Sequence, residues 1–386
     1  MQRLNFFETS TSLAFRIPFV NRPHSATKLP VQLTFRSFSL MLAHRWTISS
    51  GLGPGGSGGT DLFPVVFVEL TDPNGIQGVG EAAPSTRYER GVESTLEFLR
   101  RVDLPRLSFG NVPASMEYLD GLEAEQFAAK GALNIALLDG AARLEGRPIC
   151  DYLGLGFTEG KHVTSFSIGI DRPDAIRMKV REAERYPVLK LKVGSAQDKE
   201  NLAALREVAP KKAIRVDANE AWKTKEEALK SLEWLAGDGQ IQFVEQPMPA
   251  TTDAKDLAWL KARTPLPIMA DESYVSTADL PRCAEGYHAV NVKLMKTCGI
   301  SGAVVALKAA RAAGLKTMIG CMIESSVLIT AAAHLAELTD YLDIDGNLLI
   351  TNDPFWGATA ERGIISFAHT PEHVGLRVRA RSGSFT

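Results

Sequence analysis

Five short segments between residues 190 and 296 decide the fold: KLK at 190–192, VDAN at 216–219, VEQP at 244–247, ADES at 270–273 and NVKLMK at 291–296. In each segment a charged residue ends or follows a short apolar run, which is typical of a buried strand that brings a polar group to its end. The charged residues are, in order, Lys192, Asp217, Glu245, Asp271 and Lys293. Three acidic residues between two lysines predict a metal site flanked by two bases.

These segments belong to a longer repeat of strand and helix patterns. Runs typical of strands begin near residues 163, 188, 213, 241, 267, 289, 316 and 341. Amphipathic or alanine-rich helical sequence fills most of the intervals. Eight such units favour a parallel (β/α) barrel over 161–350. A doubly wound open sheet is the alternative, although it usually has fewer strands and a glycine-rich turn after the first.

Residues 31–160 predict a separate α+β domain ahead of the barrel. The segments at 31–42 and 63–72 have strand-like patterns, and DPNG at 72–75 is typical of a hairpin turn. Residues 92–150 then space their apolar positions by three and four, as helices do. We expect the segment 351–386 to return to this first domain.

Two stretches are predicted to lie outside regular structure. Residues 1–30 have no long apolar core and indicate a disordered or mis-assigned extension, with a transit peptide as the alternative. The loop GLGPGGSGGTD at 51–61 is too rich in glycine for regular structure, and it is either a mobile connector or an active-site lid. It is not a phosphate loop, because no Gly-Lys-Ser/Thr follows.

The composition argues for a small-molecule partner. The 386 residues include 43 basic and 45 acidic side chains, and this net charge of −2 provides no basic field for nucleic acid or an anionic membrane. No uninterrupted apolar run reaches the roughly 18 residues of a membrane span. Four separated cysteines without CxxC spacing favour a reducing, cytoplasmic compartment and argue against disulfides and structural zinc. A homo-oligomer is compatible with this composition.

In a barrel of this kind, the three carboxylates are expected to lie close together at one end. Barrel enzymes place their chemistry at the carboxyl ends of the strands, where strands three, four and five would bring Asp217, Glu245 and Asp271 together. Three carboxylates leave room for water and a substrate oxygen around one hard cation, which suits Mg²⁺. Asn219 shares a face with Asp217, and Glu272 follows Asp271, so both are expected to support the ligands.

The two lysines are predicted to oppose each other. Lys192 ends strand two and Lys293 ends strand six, four strands apart in a ring of eight. A proton could leave a substrate on one side and return on the other. Lys190 points the same way as Lys192, and it is expected to stay charged and to bind a substrate oxygen. Lys296 lies past the strand end, which indicates a structural or loop role.

A second acidic pair occurs on strand eight, in YLDIDG at 341–346. Asp343 and Asp345 share one face of the strand, opposite strand four. A substrate that spans the barrel would place its anionic end on the metal and its cationic end on this pair. That description fits a zwitterion longer than an amino acid.

These motifs resemble the enolase superfamily, specifically its muconate-lactonizing subgroup, which combines KxK on strand two, three acidic ligands and a lysine on strand six. The resemblance covers about residues 31–370, including ALNIALLDGAARLEGRPICDYLG at 132–154. The Asp-x-Asp on strand eight makes the chain most similar to the dipeptide epimerases, whose namesake is L-Ala-D/L-Glu epimerase. The resemblance implies a (β/α)7β modified TIM barrel with an α+β capping domain built from the N-terminal segment and the C-terminal tail.

The resemblance also implies an isomerase that inverts the α-carbon of the C-terminal residue of an L-Ala-L-Xaa-type dipeptide. Lys192 and Lys293 would be the acid/base catalysts of a 1,1-proton transfer through an enediolate, with Mg²⁺ and no organic cofactor. The residues implied to contact the dipeptide are Ser167, Lys190, Cys321, Ile323, Asp343 and Asp345.

One departure from the family bears on the substrate. Members specific for glutamate place an arginine in the lid loop, whereas loop 51–61 contains no basic residue. We therefore expect Xaa to be apolar or uncharged rather than Glu. The same site could instead serve an N-acyl amino acid racemase or an o-succinylbenzoate synthase, neither of which needs an ammonium clamp. A non-catalytic ligand-binding barrel is a further alternative.

Overall fold

The structure, a computed structural model, describes residues 30–51, 58–88 and 91–382. Residues 1–29 of the predicted extension and residues 52–57 of loop 51–61 lie outside these residues. The strands are β1 (Gln32–Trp46), β2 (Thr60–Thr71), β3 (Gln77–Ala82), β4 (Phe166–Ile168), β5 (Val188–Lys192), β6 (Ala213–Asp217), β7 (Ile241–Glu245), β8 (Ile268–Ala270), β9 (Ala289–Lys293), β10 (Lys316–Gly320), β11 (Tyr341–Asp343), β12 (Phe355–Trp356), β13 (Thr359–Glu361), β14 (Ile364–Ser366) and β15 (Arg379–Ala380).

Helices alternate with the strands in the second half of the chain. They are α1 (Val92–Arg100), α2 (Val112–Leu122), α3 (Phe127–Leu144), α4 (Ile149–Tyr152), α5 (Pro173–Glu182), α6 (Asp198–Val208), α7 (Lys225–Ala236), α8 (Ala254–Lys261), α9 (Leu280–Gly286), α10 (Ile300–Ala312) and α11 (Ser326–Ala333). In the described part of the chain, no helix is long and apolar enough to cross a membrane.

Strands β4 to β11 form a parallel barrel in chain order, with one of the helices α5 to α11 after each of the first seven. The barrel closes where Thr164, just before β4, pairs in parallel with Leu342 of β11. The strands begin within three residues of the predicted positions, so the predicted barrel is confirmed and the open doubly wound sheet is wrong. Every residue of β5 and of β9 is buried, because helices cover the outer face and side chains fill the inner one.

An α+β layer caps the barrel. Strands β1, β2 and β3 form an antiparallel sheet, and α3 packs against it. The C-terminal tail joins this layer, since the Thr351 backbone N–H donates to Met41 O at 2.8 Å and the Leu376 N–H donates to Asp139 Oδ1 at 2.7 Å. These contacts agree with the expected return of the tail to the first domain. The domain limits 31–160, 161–350 and 351–386 are a proposal.

Glu81, the penultimate residue of β3, connects the cap to the rim of the barrel. Its buried carboxylate accepts hydrogen bonds from the backbone N–H groups of Ser325 (3.0 Å) and Leu328 (3.2 Å) and from Ser325 Oγ (2.5 Å). Burial raises the pKa of Glu81 to about 8 despite these donors. The contact fixes the start of α11, and with it the segment 321–323 that precedes this helix.

The close approach of β3 to α3 gives a stability prediction. A Cβ on Gly80 would lie 2.0 Å from Ala132 O, and one on Gly78 would lie 2.0 Å from Ala136 O. Gly80→Ala is expected to lower the free energy of unfolding by about 1–3 kcal/mol, because backbone has to move to admit the methyl group. Urea unfolding measures this change.

Gly121→Ala is the matched control, because Gly121 lies in α2 with open space where a Cβ would stand. It should stabilise the protein by about 0.5–1 kcal/mol through helix propensity. Equal midpoints for Gly80→Ala and the unsubstituted protein would show that the contact between β3 and α3 is not tight.

Candidate active site

The charged residues singled out in the sequence meet at one rim of the barrel. Lys192, Asp217, Glu245 and Lys293 are the last residues of β5, β6, β7 and β9, and Asp271 directly follows β8. The parallel ladder pairs Lys192 with Asp217 and Asp217 with Glu245, so the three side chains start from one level. This rim is the face where barrel enzymes assemble their active sites.

The three carboxylates form a compact cluster. One oxygen from each of Asp217, Glu245 and Asp271 lies within 4.8 Å of the other two, and all three residues are buried. Glu245 Oε1 accepts from Asn291 Nδ2 at 2.8 Å. Glu245 Oε2 lies 2.7 Å from Lys190 Nζ but lacks an aligned hydrogen bond from any described residue. A buried set of carboxylate oxygens with an oxygen left unbonded fits a hard divalent cation.

Burial and mutual repulsion set the charge of this cluster. Burial raises the pKa of Glu245 to about 7, and the neighbouring Asp217 adds to the effect. At Asp271 burial acts in the same direction, but the ammonium groups of Lys293 and Lys296 outweigh it and hold the pKa well below its ordinary value. The nearby lysines therefore offset the negative charges of the three carboxylates unevenly, and the charge of Glu245 is offset least.

The Lys190 ammonium group lies among three carboxylates. Its Nζ is 2.6 Å from Asp343 Oδ2, 2.7 Å from Glu245 Oε2 and 3.0 Å from Asp217 Oδ2. Burial favours the neutral amine, but these three carboxylates outweigh it and raise the pKa of Lys190 well above its ordinary value. The position agrees with the expectation that Lys190 carries a charge.

The two candidate bases flank the cluster from opposite strands. Lys192 Nζ is 2.6 Å from Asp217 Oδ2, and Lys293 Nζ is 2.8 Å from Asp271 Oδ2. Strands β5 and β9 are four apart in the eight-stranded barrel, so the two amines face each other across its mouth. A cavity of about 470 Å³ separates them, lined by both lysines.

Lys296 is closer to the chemistry than its sequence position indicated. The chain turns after β9, where the Lys296 N–H donates to Lys293 O at 3.0 Å, and this turn brings the side chain back to the rim. Lys296 Nζ donates to Asp271 Oδ1 at 2.8 Å and to Asn291 O at 3.1 Å. Of the two expected roles, the structural one agrees with these contacts, whereas a role in an exposed loop does not. Lys296 is a buried cation held against a candidate ligand.

The acidic pair is divided between two roles. Asp343 is the last residue of β11, as predicted, whereas Asp345 lies two residues beyond the end of the strand. Asp343 Oδ1 accepts from Ser165 Oγ at 2.5 Å, and Asp343 Oδ2 pairs with Lys190. Asp345 Oδ2 accepts from the Ser167 backbone N–H at 2.6 Å. Burial, with Asp343 nearby, raises the pKa of Asp345 to about 6. Asp345 is thus the member of the pair with the less compensated charge.

The remaining predicted residues also lie at the cavity. Ser167, Cys321 and Ile323 line it, and Cys321 Sγ is 3.9 Å from Asp345 Oδ1. Asn219 Nδ2 donates to Glu272 Oε1 at 3.2 Å, which joins the two residues expected to support the ligands. Burial and the charge of Asp271 raise the pKa of Glu272 to about 8.

Sequence reasoning missed the walls that the cap supplies. Trp46, Ile48 and Phe63, which flank loop 51–61, line the cavity together with Arg87 and Tyr88 from the segment after β3. The Trp46 ring centroid is 5.9 Å from Lys192 Nζ. No periodic signal marks such residues, because they reach the site only when the two layers pack together. Asn291 could have been found, since it lies two residues before Lys293 on β9 and shares its face.

A capped barrel with carboxylates at the ends of β6 and β7 and after β8, and lysines at the ends of β5 and β9, defines an enolase-type enzyme. Residues 175–382 match the family model described as enolase C-terminal domain-like. Residues 58–154 match the N-terminal domain of mandelate racemase / muconate lactonizing enzyme. The chain belongs to the enolase superfamily, within its mandelate racemase and muconate lactonizing enzyme branch.

Several relatives of the chain have named activities. It is 62% identical over 351 residues to an L-Ala-D/L-amino acid epimerase of Pedosphaera parvula, covering 91% of this chain and 100% of the relative. It is 36% identical over 343 residues to an L-Ala-D/L-Glu epimerase of Bacteroides thetaiotaomicron, covering 88% and 86%. A dipeptide epimerase of Enterococcus faecalis, solved with Mg and L-Leu-L-Tyr, superposes with a TM-score of 0.81 at 28% identity, covering 92% and 100%.

Proposed function

We propose that this protein is a Mg²⁺-dependent dipeptide epimerase, an isomerase that inverts the α-carbon of the C-terminal residue of L-Ala-L-Xaa-type dipeptides. The observation that carries the proposal is the placement of Lys192 and Lys293 on opposite strands around the carboxylate cluster. The named epimerase relatives support it.

The cation would be held by Asp217, Glu245 and Asp271, whose oxygens lie within 4.8 Å of one another. When bound, it would polarise the substrate carboxylate and offset the negative charge that develops there as the α-proton leaves. Lys190 contributes a fixed positive charge beside this carboxylate, and its contacts with three acids keep it protonated.

Lys192 and Lys293 move the proton. One amine accepts the α-proton from its face of the substrate, and the other ammonium returns a proton from the opposite face, which inverts the carbon. Each amine pairs with a different carboxylate, Lys192 with Asp217 and Lys293 with Asp271, so both are positioned before the substrate arrives. Both lysines are buried, and a bound dipeptide would displace the water that fills the cavity between them.

Asp345 is the group best placed to hold the ammonium of the dipeptide. Its carboxylate faces the cavity wall formed by Ser167, Cys321 and Ile323. Asp343 assists by orienting Lys190, to which it is bonded. The substrate would then extend from the carboxylate cluster to strand eight, with its second side chain toward the cap.

An apolar or uncharged Xaa is proposed because Trp46, Ile48 and Phe63 line the cap side of the cavity, and because loop 51–61 contains no basic residue. Arg87 also lines this side, but it is paired with Glu220. A cytoplasmic location is proposed from the four cysteines, which are present as thiols. A homo-oligomer is compatible with the sequence, and light scattering of the purified protein measures its mass.

Asp345→Asn tests the dipeptide assignment. It is expected to lower kcat/KM for L-Ala-L-Xaa substrates roughly 30-fold or more, because removing one partner of a buried charge pair costs about 2–5 kcal/mol. α-Proton exchange in D₂O, followed by mass spectrometry, measures the rate. The matched substrates are N-acetyl-L-amino acids, which carry no ammonium group.

The same experiment separates the rival activities. An N-acyl amino acid racemase or an o-succinylbenzoate synthase shares the lysines and the carboxylates but has no ammonium to hold, so Asp345→Asn would leave its substrates largely unaffected. Faster exchange of N-acetylated amino acids than of every dipeptide by the unsubstituted enzyme would contradict the proposal. A non-catalytic barrel would exchange neither.

A further inference from the structure

An ion pair spans the mouth of the cavity and joins the cap to the barrel. Arg87 lies in the segment after β3, and Glu220 lies in the turn after β6. Arg87 Nε donates to Glu220 Oε2 at 2.9 Å, and Arg87 Nη2 donates to Glu220 Oε1 at 2.7 Å. Both residues line the cavity. The two parallel bonds give the pair a fixed geometry that a lysine could not reproduce.

The barrel holds the Glu220 carboxylate rigidly toward Arg87. Asn219 and Glu220 are consecutive non-glycine residues with φ of 42° and 69°, a left-handed conformation that strains residues with a side chain. The Glu220 N–H donates to Gln246 O at 2.9 Å, and Glu220 Oε1 also accepts from the Ala250 N–H at 2.6 Å. Such strain persists where the surrounding structure imposes it, commonly at functional sites.

Arg87 differs from the other cations at the cavity. Among the described lining residues, the cations are Arg87, Lys190, Lys192 and Lys293. The three lysines are buried at the rim against the carboxylates of the reaction centre, whereas the Arg87 side chain is 45% exposed at the mouth. An anionic substrate side chain that points toward the cap would meet Arg87. However, Glu220 already accepts hydrogen bonds from two nitrogens of Arg87, Nε and Nη2.

We infer that Glu220 sets the charge preference of the cavity: by occupying Arg87 it disfavours an anionic side chain at the C-terminal residue, and without it Arg87 would bind such a side chain. The inference rests on the proposed dipeptide epimerase function and names the residues that select the substrate. Glu220 and Arg87 act on the side chain of Xaa, away from the α-carbon.

L-Ala-L-Glu and L-Ala-L-Gln isolate the effect of charge, because their side chains have nearly the same shape. The quantity measured is the ratio of kcat/KM for the Glu dipeptide to kcat/KM for the Gln dipeptide within one variant, so a general loss of activity cancels. The unsubstituted enzyme is expected to prefer Gln. Glu220→Gln is expected to raise the ratio about tenfold, because it removes the carboxylate charge that competes for Arg87 and so strengthens a charged hydrogen bond from Arg87 to the substrate.

Two further variants test the role of Arg87. Arg87→Gln leaves the Glu220 carboxylate at the mouth without its partner and should lower the ratio below that of the unsubstituted enzyme. In the double variant Arg87→Gln/Glu220→Gln, the increase caused by Glu220→Gln should disappear. Arg87→Gln also provides the test if Glu220→Gln fails to fold, which thermal unfolding would reveal.

Glu207→Gln is the matched control. Glu207 forms an equally bidentate pair with Arg177 (2.6 and 3.1 Å), but between α5 and α6 on the outside of the barrel. Its ratio should equal that of the unsubstituted enzyme. If the Arg87–Glu220 pair only holds the cap on the barrel, Glu220→Gln will slow the epimerisation of both dipeptides equally. The unchanged ratio would then overturn this inference but not the proposed function. Absence of α-proton exchange with every dipeptide would overturn the proposed function and this inference together.

Discussion

Lys192→Ala and Lys293→Ala should each abolish epimerisation, lowering its rate by about 10²- to 10⁴-fold or more. The two amines lie on strands four apart, each beside a different carboxylate, so neither can reach the opposite face of the α-carbon. A variant with one lysine can still remove a proton from its own face. Each variant is therefore expected to exchange the α-proton of one epimer only, and the two variants should retain opposite epimers.

This outcome is measured by incubating the L,L and L,D dipeptides separately in D₂O and following deuterium uptake and inversion. Lys316→Ala is the matched control, because Lys316 begins β10 at the opposite end of the barrel and its side chain is 63% exposed. It should behave like the unsubstituted enzyme. Loss of exchange with both epimers in only one of the two lysine variants would indicate a single base and contradict the two-base proposal.

Glu245→Gln should eliminate both catalysis and the stabilisation of the protein by Mg²⁺. Glu245 contributes one of three converging carboxylates, and its Oε2 has no aligned hydrogen bond among the described residues, so the substitution removes a charged ligand atom. Activity is expected to fall at least about 100-fold. Substituting a residue that only hydrogen-bonds to a metal ligand already lowers metal affinity or activity about 10- to 100-fold, and Glu245 is itself a candidate ligand. A ligand that binds only the folded protein at 100 times its Kd stabilises it by about 2.7 kcal/mol.

Thermal unfolding with increasing MgCl₂ measures this stabilisation independently of turnover. The unsubstituted enzyme should unfold at a higher temperature as Mg²⁺ is added, while Glu245→Gln should not respond. Treatment with EDTA should remove activity from the unsubstituted enzyme, and added Mg²⁺ should restore it. Full activity after EDTA treatment would rule out a required divalent cation. Glu207→Gln, on the outer surface, should retain the response to Mg²⁺.

The barrel could be predicted because its strands repeat with nearly constant spacing and end in distinctive residues. Strand alternation correctly placed Lys190 and Lys192 on the same side, since both contact Asp217. Local periodicity carries such information because it depends only on neighbours along the chain. Strands that follow each other along the chain usually lie side by side, and this rule arranges the eight predicted strands into the confirmed barrel.

Contacts between distant segments could not be predicted in the same way. The return of Lys296 to the rim depends on a turn after β9, which spacing alone placed outside the site. The bond from Lys190 to Asp343 joins residues 153 positions apart, and that from Arg87 to Glu220 joins residues 133 positions apart. Each arises from the packing of elements that have no sequence pattern in common. Side-chain partners of this kind become visible only in three dimensions.

The common level at which β5, β6 and β7 end makes the reaction centre sensitive to strand length. Inserting or deleting a single residue in β6 would shift Asp217 to the other face of its strand and separate it from Lys192 and Glu245. The cap segments that carry Trp46, Phe63 and Arg87 are not bound by this register, since they reach the cavity from outside the barrel. Laboratory evolution toward new dipeptides should therefore accept length changes in the loops of the cap, and only same-length substitutions in the barrel strands.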